Sequence, residues 1–139
     1  MDIIFERLSQ YGFHDTELSS IHGEKLEIRL NFDKGIYLLN ETGKENVLSN
    51  PTQILFKISS YYSSFEEALE IKEYGKKIKY LDYSSIKKYI QEEGFGISMV
   101  YYSKFNNCVL FDGGVSKKNI MFSIEGISEI IIRNFEKGN

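Results

Sequence analysis

Phe13-His14-Asp15-Thr16 is the one short stretch of this chain whose residue types and spacing invite chemistry. An imidazole beside a carboxylate can hold a metal, or accept a proton while the acid orients it. A metal needs more ligands than this doublet supplies. The chain has one other histidine, His22, and one cysteine, Cys108. If residues 14–22 are extended, eight steps of ~3.3 Å put the two histidines ~26 Å apart, too far to share an ion. The expectation is therefore architectural: His14 or Asp15 hydrogen-bonds free backbone groups where the chain enters a sheet. A binding role for the pair is the alternative, with a small molecule held at the mouth of a curved sheet. A weak hydrolase is a remoter one.

Nothing else completes a reactive set. No Gly-x-Ser-x-Gly elbow marks a nucleophilic serine. Cys108 opens an alternating stretch, where cysteine acts as a small hydrophobe. A lone cysteine excludes an internal disulfide and a cysteine-built zinc site. Gly94-Phe95-Gly96 and Asp112-Gly113-Gly114 lack the strand-to-helix context of a phosphate loop and read as turns. Catalytic residues, metals and cofactors are all expected to be none. Glu66, Glu67, Glu70 and Glu73 lie near Lys76, Lys77 and Lys79, a pattern suited to a solvated face. The lysines have no evident stacking partners, and a net charge of −3 gives no basic excess, so no nucleic acid is expected as partner.

The aromatic inventory is more suggestive. Ten tyrosines include two adjacent pairs, Tyr61-Tyr62 and Tyr101-Tyr102. Neighbours on a strand point to opposite faces, so one of each pair turns away from the core. Exposed tyrosine suits a protein interface, because it adds contact area at low entropic cost. These four residues are the candidate contacts for a protein partner. Self-association through an open strand edge would give a homo-oligomer.

The elements that must position these groups are mostly strands. Lys25–Asp33 alternates most clearly, with Leu26, Ile28, Leu30 and Phe32 on one side. A preceding strand at 16–22, with a turn at Gly23-Glu24, leaves the register of this hairpin in conflict. A bulge is the expected remedy. A short helix at 2–11, a third strand at 36–40, a long exposed loop at 41–51 and a strand at 52–61 follow. Residues 64–82 fit either a Ser64/Glu67-capped helix or two strands turning at Gly75-Lys76, and the alternation favours strands. Residues 85–93 form the best helix, capped by Ser84, with Ile86, Tyr89 and Ile90 as its buried stripe. Strands at 95–102, 108–112, 119–124 and 129–135 complete the chain, with turns at Asn106-Asn107 and Gly113-Gly114. The fold class expected is mainly β (or α+β): an antiparallel β-sandwich or strongly curved sheet with one or two short helices. The 139 residues suit one domain, 1–139. No signal peptide and no membrane-spanning run are seen, so a cytoplasmic protein with no membrane contact is expected.

The string Phe13-His14-Asp15-Thr16-Glu17-Leu18, followed by the strand Lys25–Phe32, resembles a loose set of small uncharacterised bacterial proteins. In these, His-Asp-Ser/Thr stands at the start of the first strand and antiparallel strands follow. Some members are classed as immunity-protein-like. The resemblance implies an all-β or β-dominated fold and an orphan function. It carries no catalytic residues across. The absent catalytic set, the β framework and the surplus of tyrosine with acidic clusters make a non-enzymatic protein-binding domain, an immunity or accessory factor, the leading expectation.

Overall fold

The computed structural model describes residues 3–39 and 45–135. In chain order the elements are α1 (Ile3–Leu8), β1 (Tyr11–Gly12), β2 (Thr16–Leu18), β3 (Ser20–Glu24), β4 (Glu27–Phe32), β5 (Tyr37–Leu39), β6 (Glu45–Leu48) and β7 (Thr52–Ile58). Then come α2 (Phe65–Ala68), β8 (Leu69–Tyr74), β9 (Lys79–Leu81), α3 (Tyr83–Glu93), β10 (Phe95–Ser103), β11 (Cys108–Val115), β12 (Lys118–Ile124) and β13 (Ile127–Asn134). Six strands make a large sheet, β2-β10-β11-β12-β8-β9. Four make a second, β13-β7-β4-β3, and three short ones a third, β1-β5-β6. Every pairing is antiparallel. The expected β-rich antiparallel architecture forms, with three short helices.

Alternation builds the layers. Ile28, Leu30 and Phe32 of β4 are buried while Glu27, Arg29 and Asn31 are not. The same period puts Val109, Phe111, Gly113 and Val115 of β11 inside, and Ile120, Phe122 and Ile124 of β12. The inner faces of the two larger sheets share one hydrophobic cluster. Phe13 bridges them, its ring 5.8 Å from Phe32 and 6.0 Å from Phe111. Each large apolar side chain so buried contributes about 1.5–3 kcal/mol, so this cluster dominates stability. Ile86 and Ile90 of α3 enter the same core. Asp82 rather than Ser84 caps that helix: its Oδ1 accepts from the Ser85 amide at 2.8 Å, a bond that holds its carboxyl below the usual range.

The structure departs from the sequence expectations in several further places. The strand expected at 16–22 breaks at Ser19, so that β2 joins the large sheet and β3 the four-stranded one. Ser19 fastens the corner, its amide donating to Asn31 O and its hydroxyl accepting from the Asp33 amide. Changing sheets lets Leu18 and Ile21 both face the core, which no bulge is needed to explain. The turn is Lys25-Leu26, with Lys25 at φ 53°, and it sets Ile21 opposite Leu30. In the segment expected as a long loop, residues 40–44 lie outside the described residues, and Glu45–Leu48 pairs with β5 as β6. Residues 64–82 hold one helical turn, α2, and then two strands. Ser64 makes no side-chain cap there; Glu67 instead accepts from the Ser63 amide at 3.0 Å. Gly113 and Gly114 lie within β11, and the turn falls at 116–117, with Ser116 at φ 55°.

Candidate functional site

His14 and Asp15 sit on a tight turn between β1 and β2, with Asp15 left-handed at φ 61°, a conformation its short polar side chain tolerates. Their side chains are 64% and 78% exposed and 3.5 Å apart. Neither bonds the backbone among the described residues, which corrects the expected tie. The flanking residues do that work: Phe13 fills the core, and the Thr16 hydroxyl donates to Phe13 O at 2.6 Å. The Asp15 amide donates to Ile97 O at 2.9 Å, docking the turn on β10. Beside it lies a depression of about 160 Å³ between Tyr11–His14 and Ser98, Met99, Val100 and Tyr102. That is below the roughly 300 Å³ at which ligand pockets begin. Among the described residues no three His, Cys, Asp or Glu side chains converge as a metal site. His14→Ala is expected to shift stability by less than about 0.5 kcal/mol. Thr16→Val, which removes the hydroxyl's bond to Phe13 O but leaves the Thr16 amide's at 3.0 Å, should cost about 1 kcal/mol. Paired urea titrations compare the two, and a larger cost at His14 would return it to the architecture.

The four tyrosines separate into two kinds. Tyr102 packs against the core, and burial pushes its phenol up to about 12. A raised acid pKa means that the fold keeps its full contribution below the ordinary value near 10. It loses that contribution as pH climbs from there through about 12, because the unfolded chain releases the proton first. Alkaline titration should therefore weaken the wild type by roughly 2–3 kcal/mol more than Tyr102→Phe across that window. Equal losses would place Tyr102 in water. Tyr101 faces outward, 51% exposed. Cys108 is half-buried, and burial with Glu125 and Glu70 nearby pushes its thiol up, away from a nucleophilic thiolate.

Tyr61 and Tyr62 lie at one end of the large sheet, in company the sequence did not predict. The registers Val109↔Ile124, Ser103↔Cys108 and Ile124↔Leu69 bring the β10–β11 tip, residues 125–126 and α2 to the same end. Three loops interlock there. The Gly126 amide donates to Asn106 O at 2.7 Å, the Ser59 amide to Gly126 O at 2.8 Å, and the Ile127 amide to Asn107 O at 3.2 Å. Tyr62 Oη accepts from Asn106 Nδ2 at 2.7 Å and donates to Glu125 Oε1 at 3.2 Å. The Asn106 bond favours its phenolate, but burial and the Glu125 charge outweigh it and the pKa moves up. Tyr61 packs edge-on against Tyr62 at 5.8 Å and is 91% exposed; Phe105, beside Asn106, is 87% exposed. Two large aromatics thus stand in water on a hydrogen-bonded base.

The surroundings are acidic. Glu66 and Glu67 of α2, Glu70 of β8 and Glu125 lie at this end of the sheet, with Lys104 on the tip, Lys25 beside α2 through the Phe65 amide's bond to its carbonyl at 2.7 Å, and Lys72 paired with Glu70 at 3.0 Å. Next to them Glu24, Glu27, Lys57 and Glu129 form one cross-strand row on the four-stranded sheet. An open trough of about 540 Å³ runs there, lined by Leu26 and Ile58, by Glu24 and Glu27, and by Lys25 and Lys57. Lys57 sets its ammonium 3.6 Å from Glu129 there, and Arg29 its guanidinium 3.6 Å from Glu27.

The outer face of the large sheet continues from this end. Register places Tyr101, Leu110, Ser123 and Glu70 in one row and Met99, Asp112, Met121, Lys72 and Tyr80 in the next. Sequence reasoning found Tyr61, Tyr62 and Tyr101 but missed Phe105 and Glu125, since a loop phenylalanine carries no periodicity to mark it. No helix among the described residues is long and apolar enough to cross a membrane. No family model, curated protein or solved structure matches this chain.

Proposed function

We propose that this protein is a non-enzymatic binding domain, an immunity or accessory factor, whose acidic–aromatic end grips a basic protein partner. The observation that carries the reading is the near-complete exposure of Tyr61 and Phe105 on loops fixed by backbone hydrogen bonds. Single exposed hydrophobes are ordinary, but two large aromatics gathered at one end of a sheet point to a contact surface. Rigidly held aromatics inside a charged surround are the usual centre of binding energy in an interface. The neighbouring glutamates supply charge complementarity and speed encounter with a basic surface.

The test is capture from an extract of the source organism, with the tagged chain and its Tyr61→Ser/Phe105→Ser variant as paired baits. Removing two hot-spot aromatics should cut recovery of the basic partner by at least about tenfold. Melting should stay close to wild type, because both side chains are exposed. Equal recovery by the two baits, or no basic protein recovered by either, would defeat the reading.

A further inference from the structure

The opposite end of the large sheet carries the opposite charge. Register sets Asn119 against Tyr74, which makes the turn at 75–78 and the turn at 116–117 neighbours. Together they gather Lys76, Lys77, Lys79, Lys117 and Lys118, with Glu73 3.8 Å from Lys118 Nζ and Glu93 of α3 also near that ammonium. Lys118 lies 4.4 Å over the Tyr89 ring and donates to Tyr89 Oη at 3.2 Å. Within this basic corner Ile78 is 58% exposed and Tyr80 68%. It is the electrostatic complement of the end that bears Tyr61 and Phe105, and it too presents apolar surface among its charges.

We propose that the acidic–aromatic end of one copy docks on the lysine corner of a second copy, head to tail. The proposal rests on the reading of the acidic end as a contact surface and names a second partner for it. Charge decides the geometry. Like ends repel, so two-fold pairing through either end is disfavoured, while unlike ends attract. A contact between different patches leaves one free end of each kind, so association continues beyond two copies unless a ring closes. Single exposed ion pairs are weak, so the assembly forms at high concentration and dissolves in salt.

Analytical ultracentrifugation of the full chain tests this. From about 10 μM to about 1 mM, average mass should rise at about 20 mM salt and fall back to one copy at about 0.5 M. Two variants then each keep one end: Lys76→Gln/Lys77→Gln/Lys79→Gln, and Glu66→Gln/Glu67→Gln. Each alone should stay monomeric. Their equimolar mixture should associate and stop at two copies, since only one native contact remains. A wild type that stays monomeric throughout overturns the proposal, as does association unaffected by salt or retained by either variant alone. Circular dichroism melts of both variants establish that loss of association is not loss of fold. If self-association fails while capture of a basic partner still depends on Tyr61 and Phe105, the head-to-tail contact falls and the proposed function stands.

Discussion

Gly113→Ala is expected to destabilise the protein by about 3–5 kcal/mol, lowering its melting temperature by roughly 10 °C or more. Gly113 lies on the inner face of β11, opposite Ile97 and beside the bulge between Ile97 and Met99. A Cβ built there overlaps the Gly96 carbonyl oxygen and lies 3.1 Å from the Phe95 ring. The oxygen belongs to a backbone held on its other side by β2, through Gly96↔Glu17. It cannot retreat without opening the ladder that joins β2, β10 and β11. Gly96→Ala is the matched control: its Cβ meets no atom closer than 3.9 Å, and it should cost less than about 1 kcal/mol. Thermal melts by circular dichroism compare the pair. A Gly113→Ala protein that melts within two or three degrees of wild type would mean that β10 and β11 are not packed this closely.

Gly113 also shows where the sequence could be read and where it could not. Two adjacent glycines usually mark a turn, and nothing local distinguishes a glycine needed for bending from one needed for close approach. The layers themselves were legible, because burial on one face imposes period two, and Lys25–Phe32 or Asn119–Ile124 obey it cleanly. The corner at Ser19 was not. Each half of the segment alternates correctly, and the parity error between Leu18 and Ile21 could be repaired equally by a bulge or by a change of sheet. β6 was missed because its pairing with β5 needs no alternating apolar run. The doublet His14-Asp15 drew attention through its chemistry, while the anchoring fell to Phe13 and Thr16 beside it. The candidate surface was half visible. Two adjacent tyrosines hint at exposure, but only long-range registers show that Tyr61, Phe105 and Glu125 share one end.

Gly126→Ala should weaken both the fold and the proposed contact surface, by about 2–3 kcal/mol in stability and at least about tenfold in partner capture. Gly126 is left-handed at φ 66°, and the Tyr62 ring lies directly against its Cα, where a methyl group would overlap it. Two relaxations are open. Tyr62 can swing away and lose its bonds to Asn106 and Glu125, or residue 126 can leave the left-handed region and lose its bonds to Asn106 O and the Ser59 amide. Either frees the base on which Tyr61 and Phe105 stand, and each lost bond costs about 1 kcal/mol. A double-mutant cycle separates steric contact from backbone strain. In a Tyr62→Ala background the methyl meets no ring, so Gly126→Ala should cost only the left-handed penalty of about 1–2 kcal/mol. If the cost is the same in both backgrounds, the Tyr62 ring is not what locks the three loops together. Rigid presentation of the aromatic pair would then have to come from the backbone bonds of Asn106 and Ser59 alone.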